Sequence, residues 1–184
     1  MKKIKAAVAG MGFIGTAHVE ALRRLNNVEV TAICGSARSV KAKAEELGIE
    51  NYYSDFNEML EKADIDAVHI CTPNYLHYQM SKDALNAGKH VICEKPLTTT
   101  KEEAEELLAI AKEKGLVHAT NFNLRFYPLM HQLKAMVDKG DLGELFSVNG
   151  SYLQDWLCYD TDYNWRLEPE KSGETRAIGD IGSH

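Results

Sequence analysis

The stretch Gly10-Met11-Gly12-Phe13-Ile14-Gly15 decides the predicted fold, because it stands between an apolar run that ends at Ala9 and a segment of helical periodicity. A Gly-x-Gly-x-x-Gly turn in this setting is typical of the first βαβ unit of a dinucleotide-binding domain. The first glycine permits a tight turn, the second lets backbone approach a pyrophosphate, and the third allows helix and strand to pack closely. An ordinary glycine-rich turn is the alternative, and the context favours dinucleotide binding.

Downstream of this turn, short apolar runs alternate with helical patterns, which predicts an α/β fold with a parallel sheet. The predicted strands are residues 3–9, 28–34, 51–53, 67–71, 90–93 and 116–121. The predicted helices are residues 14–25, 40–47, 56–62, 75–87 and 101–114, the last opened by a capping box at Thr100. This order predicts a doubly wound Rossmann domain over residues 1–121.

Residues 122–184 have a different pattern, with a predicted helix over 128–139 and a long strand over 144–152. A loop rich in aromatic and charged residues follows over 154–175. We interpret this region as the beginning of an incomplete α+β domain.

Composition narrows the classes of function. The 184 residues are 45% hydrophobic and 26% charged, with a net charge of -6, which disfavours a nucleic-acid partner. No apolar stretch approaches the length of a membrane span, and Met1-Lys2-Lys3 leads into a strand without a signal-peptide pattern, so we expect a cytoplasmic protein. The four cysteines are far apart and predict neither a zinc site nor a redox pair, and we predict no metal.

The end of the second predicted strand bears on the choice of cofactor. NAD-selective sites usually carry an acidic residue there, whereas this chain reads Cys34-Gly35-Ser36-Ala37-Arg38. Ser36 and Arg38 suit a 2′-phosphate, so we expect NAD(P) with a preference for NADP. The alternative is that Arg38 is a solvated residue at the start of a helix.

Thr72-Pro73-Asn74 follows the fourth predicted strand at the edge of the sheet where ligands bind. Pro73 and Asn74 serve equally well as a helix start with its cap. His77 either contacts the cofactor or is a helix residue that is hydrogen-bonded to a neighbour. The residues predicted to bind the cofactor are Gly10, Gly12, Phe13, Ile14, Gly15, Ser36, Arg38, Thr72, Pro73, Asn74, His77, Glu94 and Lys95.

Lys95, Asp180 and His184 are the candidate catalytic residues. Oxidation of a secondary alcohol needs a base for the hydroxyl proton while hydride leaves for a nicotinamide. His184 suits that base, Asp180 four residues earlier would orient it from the same helix face, and Lys95 would stabilise the developing alkoxide. The alternative for Asp180 is a helix-capping aspartate, and the alternative for His184 is a surface histidine. Glu94 either pairs with Lys95 or satisfies local backbone.

Five motifs in this order resemble the glucose-fructose oxidoreductase and inositol dehydrogenase family, Gfo/Idh/MocA. They are Gly10-x-Gly12-x-x-Gly15, Cys71-Thr72-Pro73-Asn74-x-x-His77, Glu94-Lys95-Pro96, Asn123-x-Arg125-Phe126 and Gly179-Asp180-Ile181-Gly182-Ser183-His184. The resemblance implies a Rossmann domain followed by an α+β domain whose open sheet commonly builds an oligomer interface, hence a homo-oligomer at full length. It also implies that Lys95, Asp180 and His184 match the catalytic lysine, aspartate and histidine, and that a cis peptide precedes Pro96. Family members continue well beyond residue 184.

The resemblance implies an NAD(P)-dependent oxidoreductase acting on a sugar, inositol or related polyol. The predicted substrate residues are Lys95, Asn123, Arg125, Trp165, Arg166, Asp180 and His184. Aromatic rings with an arginine suit a sugar, although core packing and oligomer interfaces use such residues more commonly. Arg125 serves equally well in an interdomain salt bridge. Two other functions stay open: a redox glycosidase that retains its cofactor, and a dinucleotide-sensing regulatory protein.

Overall fold

A computed structural model describes residues 3–184, whereas Met1 and Lys2, which the predicted first domain includes, lie outside the described residues. The chain separates into two compact units, one that ends at Asn121 and one that spans Phe122–His184. Within the described residues, no helix combines the length and apolar character that a bilayer crossing requires.

The first unit is a parallel six-stranded sheet with helices between its strands. Its strands are β1 (Ile4–Ala9), β2 (Val28–Cys34), β3 (Asn51–Tyr53), β4 (Ala67–Ile70), β5 (His90–Cys93) and β6 (His118–Thr120). Its helices are α1 (Phe13–Arg23), α2 (Val40–Leu47), α3 (Phe56–Lys62), α4 (His77–Asn86) and α5 (Lys101–Glu113). The strand order β3-β2-β1-β4-β5-β6 is the doubly wound Rossmann order, which confirms the predicted fold. The order reverses between β1 and β4, and such sheets bind ligands outside the carboxyl ends of the strands at that point.

Two hydrophobic clusters cover the two faces of the sheet, because successive residues of a strand point to opposite faces. In β1, Ala7 and Ala9 pack in one cluster, whereas Ala6 and Val8 pack in the other. Helices α1 and α2 supply the second cluster, and α3, α4 and α5 supply the first. Small residues in β1 therefore let helices approach both faces of the central strand closely.

One predicted helix begins differently from the sequence pattern. A 3₁₀ turn over Asn74–Leu76 precedes α4, and Asn74 lies inside that turn, with Pro73 before it. Because Pro73 has extended backbone angles, the turn begins one residue earlier than a cap at Asn74 requires. The predicted capping position of Asn74 is therefore wrong, although the residue stays at the carboxyl edge of the sheet.

The second unit contains α6 (Pro128–Lys139), α7 (Pro169–Ser172), two 3₁₀ turns (Asn123–Phe126 and Trp165–Leu167) and a π-helical turn (Ile178–Gly182). Helix α6 has the predicted bounds and ends at Gly140, which adopts left-handed angles. The strand predicted over residues 144–152 is wrong, because that segment carries no strand assignment. A strand is stable only when its backbone groups pair with another strand, and the described residues of this unit include none.

Candidate active site

The glycine turn between β1 and α1 is shaped by close backbone contacts. Gly10 has φ +92°, and a Cβ atom there would lie 2.5 Å from the carbonyl carbon and oxygen of Cys71. A Cβ atom at Gly15 would lie 1.9 Å from the carbonyl oxygen of Gly10. By contrast, nothing lies within 4 Å of a Cβ atom built on Gly12. Internal packing therefore requires Gly10 and Gly15, whereas Gly12 faces open space.

The start of α1 fits the phosphates of a dinucleotide. Gly12 is the N-cap, has no side chain to cap the helix, and is followed by a first turn without acidic residues. The N–H groups of that turn carry partial positive charge and favour an anion. The open space before Gly12 provides access, and the exposed side chains of Phe13 and Ile14 flank it. These residues therefore fit the predicted cofactor.

The turn after β2 places Ser36 and Arg38 side by side. The backbone N–H of Arg38 donates to Ser36 Oγ at 3.4 Å, and the Ser36 carbonyl accepts from the N–H groups of Ser39 and Val40. Both predicted ligands of a 2′-phosphate are exposed at the carboxyl edge of the sheet.

His77 links the loops that follow β4 and β5. Its Nε2 lies 2.7 Å from the Thr72 carbonyl oxygen and its Nδ1 lies 2.7 Å from the Pro96 carbonyl oxygen. The Lys95–Pro96 peptide is cis, as the family resemblance implies. Burial lowers the pKa of His77, although its two carbonyl partners oppose the shift. The side chain has no exposed surface and contacts these two loops, and the cofactor contact of His77 stays a prediction.

Glu94 is the centre of a half-buried network of side chains. Its Oε1 accepts hydrogen bonds from His18 Nε2 at 3.0 Å and Asn121 Nδ2 at 2.6 Å, and its Oε2 accepts the Lys95 backbone N–H at 3.3 Å. His18 Nδ1 lies 2.9 Å from His69 Nδ1. The contact with the Lys95 N–H fits one of the two predicted roles of Glu94, the one that satisfies local backbone.

The charges in this network follow from its surroundings. Burial raises the pKa of Glu94, but the hydrogen bonds from His18 and Asn121 outweigh it, so the net pKa is lowered and the carboxylate is ionised at neutral pH. Burial, with a smaller contribution from His18, lowers the pKa of His69 to about 4. His69 is therefore neutral at pH 7.

The shifted pKa of His69 predicts a pH dependence of stability. Between its unfolded pKa of 6.5 and its folded pKa of about 4, the unfolded chain binds a proton that the folded chain excludes. The free energy of unfolding should therefore fall as the pH decreases through this window, by about 3 kcal/mol from His69 alone. The lowered pKa values of His77 and His118 act with the same sign.

Chemical denaturation of this chain between pH 7.5 and 4 measures the effect. His69→Asn removes the titrating ring but keeps an N–H donor for His18, so its profile should be flatter. His131→Asn, at an exposed histidine of α6, is the control and should match the parent. A His69→Asn profile with the parent's slope would contradict the prediction.

Sequence reasoning missed His18, His69 and Asn121. A signal was present, because His69 is a polar residue inside an apolar strand and Asn121 directly follows the last strand. His18 lies three residues after Gly15, on the helix that the glycine turn opens. Their partners are distant in sequence, so only the fold reveals the network.

In the second unit, Arg166 contacts two other predicted site residues, Trp165 and Asp180. Its guanidinium lies 4.6 Å from the ring centre of Trp165 and 5.8 Å from that of Trp156. Its Nε donates to Asp180 Oδ1 at 3.3 Å. Arg166 therefore joins two aromatic rings to the predicted catalytic carboxylate.

His184 packs its ring against Phe122, with ring centres 5.9 Å apart at an angle of 85°. The segment before it is a π-helical turn over Ile178–Gly182 rather than an α-helix, and the shared face of Asp180 and His184 stays a prediction. Gly179 and Gly182 have little preference for a regular helix, which explains the departure. Asn123 and Arg125 are exposed in the 3₁₀ turn that opens this unit.

Comparison with known proteins supports this description. Residues 4–122 match the oxidoreductase family with an NAD-binding Rossmann fold, and residues 130–184 match the GFO/IDH/MocA C-terminal domain. Levoglucosan dehydrogenase of Pseudarthrobacter phenanthrenivorans is 34% identical over all of this chain and 50% of its own length. The chain spans about half the length of the curated relatives it matches.

Solved structures agree with the sequence matches. A levoglucosan dehydrogenase in complex with NADH and L-sorbose has a TM-score of 0.91 and 33% identity, covering 100% of this chain and 52% of that one. A Lactobacillus casei scyllo-inositol dehydrogenase with NAD(H) and scyllo-inositol has a TM-score of 0.73 and 32% identity, covering 78% of this chain and 43% of that one. With the glycine turn, the doubly wound sheet and both domain matches in agreement, this chain belongs to the Gfo/Idh/MocA family of oxidoreductases.

Proposed function

We propose that this protein is an NAD(P)-dependent oxidoreductase that interconverts a secondary alcohol and a ketone on a sugar, inositol or related polyol. The observation that carries the proposal lies within the first unit. Lys95 follows β5 at the same carboxyl edge of the sheet as the glycine turn, and Glu94 holds its backbone N–H. Dinucleotide-binding groups and an amine therefore share one edge of one sheet.

The residues divide the chemistry of such a reaction among them. A bound nicotinamide dinucleotide supplies the hydride acceptor or donor. We assign Lys95 to stabilise negative charge on the substrate oxygen and His184 to take up or return the hydroxyl proton. Asp180 would orient and tune His184, and Arg166 donates a hydrogen bond to that carboxylate. Asn123, Arg125 and Trp165 remain proposed substrate contacts.

The names of the relatives support the substrate class, because levoglucosan and scyllo-inositol are both rich in secondary hydroxyls. On the family resemblance we also propose a homo-oligomer. The second unit leaves Phe146, Val148 and Leu153 almost fully exposed, and such side chains are usually covered in a working protein.

For the cofactor we propose a preference for NADP. No acidic residue stands at the end of β2, whereas Ser36 and Arg38 are exposed there, and a guanidinium binds phosphate well. The two similar structures described above were determined with NADH or NAD(H), so the choice needs a direct test.

We expect Arg38→Ala to weaken NADPH binding by about 10- to 100-fold, the effect of losing a charge-assisted hydrogen bond, and to change NADH binding less than about twofold. Fluorescence titration of this chain with each cofactor measures both affinities. Arg24→Ala, at the far end of α1, is the control. Equal weakening of both cofactors by Arg38→Ala would contradict the proposed role.

The function itself is tested by a panel of sugars and polyols, assayed through the absorbance of reduced nicotinamide with both cofactors. The assay should use a version of the protein that extends to the length of its relatives. We expect oxidation of at least one cyclic polyol or sugar. Glycoside hydrolysis without net accumulation of reduced cofactor would instead support a redox glycosidase. A lack of any turnover would refute the proposed enzymatic activity.

A further inference from the structure

His18 connects the phosphate-binding helix to three neighbouring strands. It lies on α1, three residues after Gly15, and its ring reaches the carboxyl edge of the sheet. There it contacts His69 of β4 and Glu94 just after β5. Its Nε2 and Asn121 Nδ2 lie 3.2 Å apart because both donate to the same oxygen, Glu94 Oε1.

The partners of His18 determine where its protons lie. A carboxylate only accepts hydrogen bonds, so Nε2 of His18 must carry a proton toward Glu94. If His18 is neutral, its Nδ1 accepts from Nδ1–H of His69. If His18 is charged, its Nδ1 donates to an unprotonated Nδ1 of His69. The hydrogen bond to Glu94 survives in both states, so the link is insensitive to the protonation of His18.

Glu94 transmits this link to Lys95. Its Oε2 accepts the Lys95 backbone N–H, and the carbonyl of the next residue, Pro96, lies 2.7 Å from His77 Nδ1. Glu94 therefore holds the backbone that carries the Lys95 side chain, and the His77 ring lies against the peptide that follows it. Both His18 and Glu94 have nearly buried side chains, 12% and 13% exposed, where competition from water is weak.

We propose that His18 is a positioning residue, which through Glu94 sets the Lys95 backbone relative to the phosphate-binding start of α1. This inference rests on the proposed function, which assigns Lys95 its role in the reaction. Misplacement of a catalytic group by about 1 Å costs on the order of 100-fold in rate. The helix that binds the cofactor and the lysine that acts on the substrate would thereby keep a fixed relationship.

The first experiment measures amide hydrogen exchange of residues 93–98 in this 184-residue chain. The leucine of His18→Leu has a similar volume but no hydrogen-bond donor. We expect this variant to speed exchange at the Lys95 amide at least tenfold. His18→Gln places an amide N–H near the position of Nε2 and should restore most of the protection. His90→Leu is the control, because His90 accepts the Val117 N–H at the opposite edge of the same sheet.

The second experiment measures kinetics in a version extended to the length of the relatives. We expect His18→Leu to lower kcat about 100-fold with the KM for the dinucleotide changed less than threefold, and His18→Gln to recover at least tenfold of that loss. A loss of general stability alone would not give this division between kcat and KM or the recovery. If His18→Leu does not fold, His18→Asn, whose amide is too short to reach Glu94, takes its place.

The proposed role of His18 and the proposed function can be refuted independently of each other. Unchanged Lys95 exchange in His18→Leu, or in His18→Asn where that variant replaces it, or kcat equal to that of the parent, overturns the role of His18 even when the parent is an active oxidoreductase. If the parent turns over no substrate in the panel, the proposed function fails. The exchange experiment then still decides whether His18 holds the Lys95 backbone.

Discussion

Replacing Lys95 with alanine should lower kcat for the preferred polyol by about 10²- to 10⁴-fold, the usual contribution of a proton-transferring or charge-stabilising group. The physical reason is that the ammonium would stabilise charge that develops on the substrate oxygen only as hydride leaves. The affinity for the dinucleotide, measured by fluorescence titration, should change far less. Steady-state kinetics on a version of the length of the relatives measures the first effect.

The matched control is Lys101→Ala, which removes an exposed lysine paired with Glu105 on α5. An exposed ion pair of this kind contributes little, so kcat should stay within about twofold of the parent. Lys95→Ala with turnover close to that of the parent would refute the role of Lys95. A loss of cofactor binding in the same variant would show that Lys95 binds the cofactor rather than acting on the substrate.

Gly12→Ala should weaken dinucleotide binding by about 10- to 100-fold while leaving the thermal stability of the chain nearly unchanged. Gly12 has φ -79°, which alanine adopts without strain, and an added Cβ atom meets no atom within 4 Å. The methyl group would instead occupy the space through which phosphate oxygens reach the first N–H groups of α1. Loss of such charge-assisted hydrogen bonds corresponds to about 1.5–3 kcal/mol.

Gly15→Ala, unlike Gly12→Ala, should lower the stability of the chain. Its Cβ atom would lie 1.9 Å from the carbonyl oxygen of Gly10, so backbone has to move. We expect a loss of about 3 kcal/mol or more in the free energy of unfolding, and a decrease in Tm on the order of 10 °C. Gly115→Ala, in open space but at φ +64°, is the control for the cost of left-handed angles alone.

Calorimetry and fluorescence titration of the same three variants separate the two effects. Binding of NADH or NADPH by Gly12→Ala with the affinity of the parent would show that the dinucleotide does not approach this turn. A Tm of Gly15→Ala equal to that of Gly115→Ala would show that the helix and strand are not packed as closely as the structure describes.

The Rossmann fold could be predicted because its signals are local. Strand β2 and helices α2 and α3 have the predicted bounds, since each is a short run with its own periodicity and its own stop signal, such as Gly48 after α2. The Thr100 capping box opens α5 as predicted, because its hydrogen bonds join residues three positions apart. A pattern that is satisfied within a few residues needs no knowledge of the rest of the chain.

The predictions that failed concern structure that depends on distant partners or on weak local preferences. Residues 144–152 have the composition of a strand but no partner strand among the described residues of their unit. The segment Ile178–Gly182 contains two glycines, so the local sequence favours no regular α-helix, and a π-helical turn forms there instead.

By itself, the sequence determined that a dinucleotide-binding sheet forms and which glycines shape its first turn, because the motif, the strand and the helix are adjacent along the chain. Only the tertiary structure decided that His18, His69, Glu94 and Asn121 form one network, and that His77 bridges the loops after β4 and β5. The physical reason is that parallel strands bring their carboxyl ends to one edge, so side chains up to 103 positions apart come within hydrogen-bonding distance there.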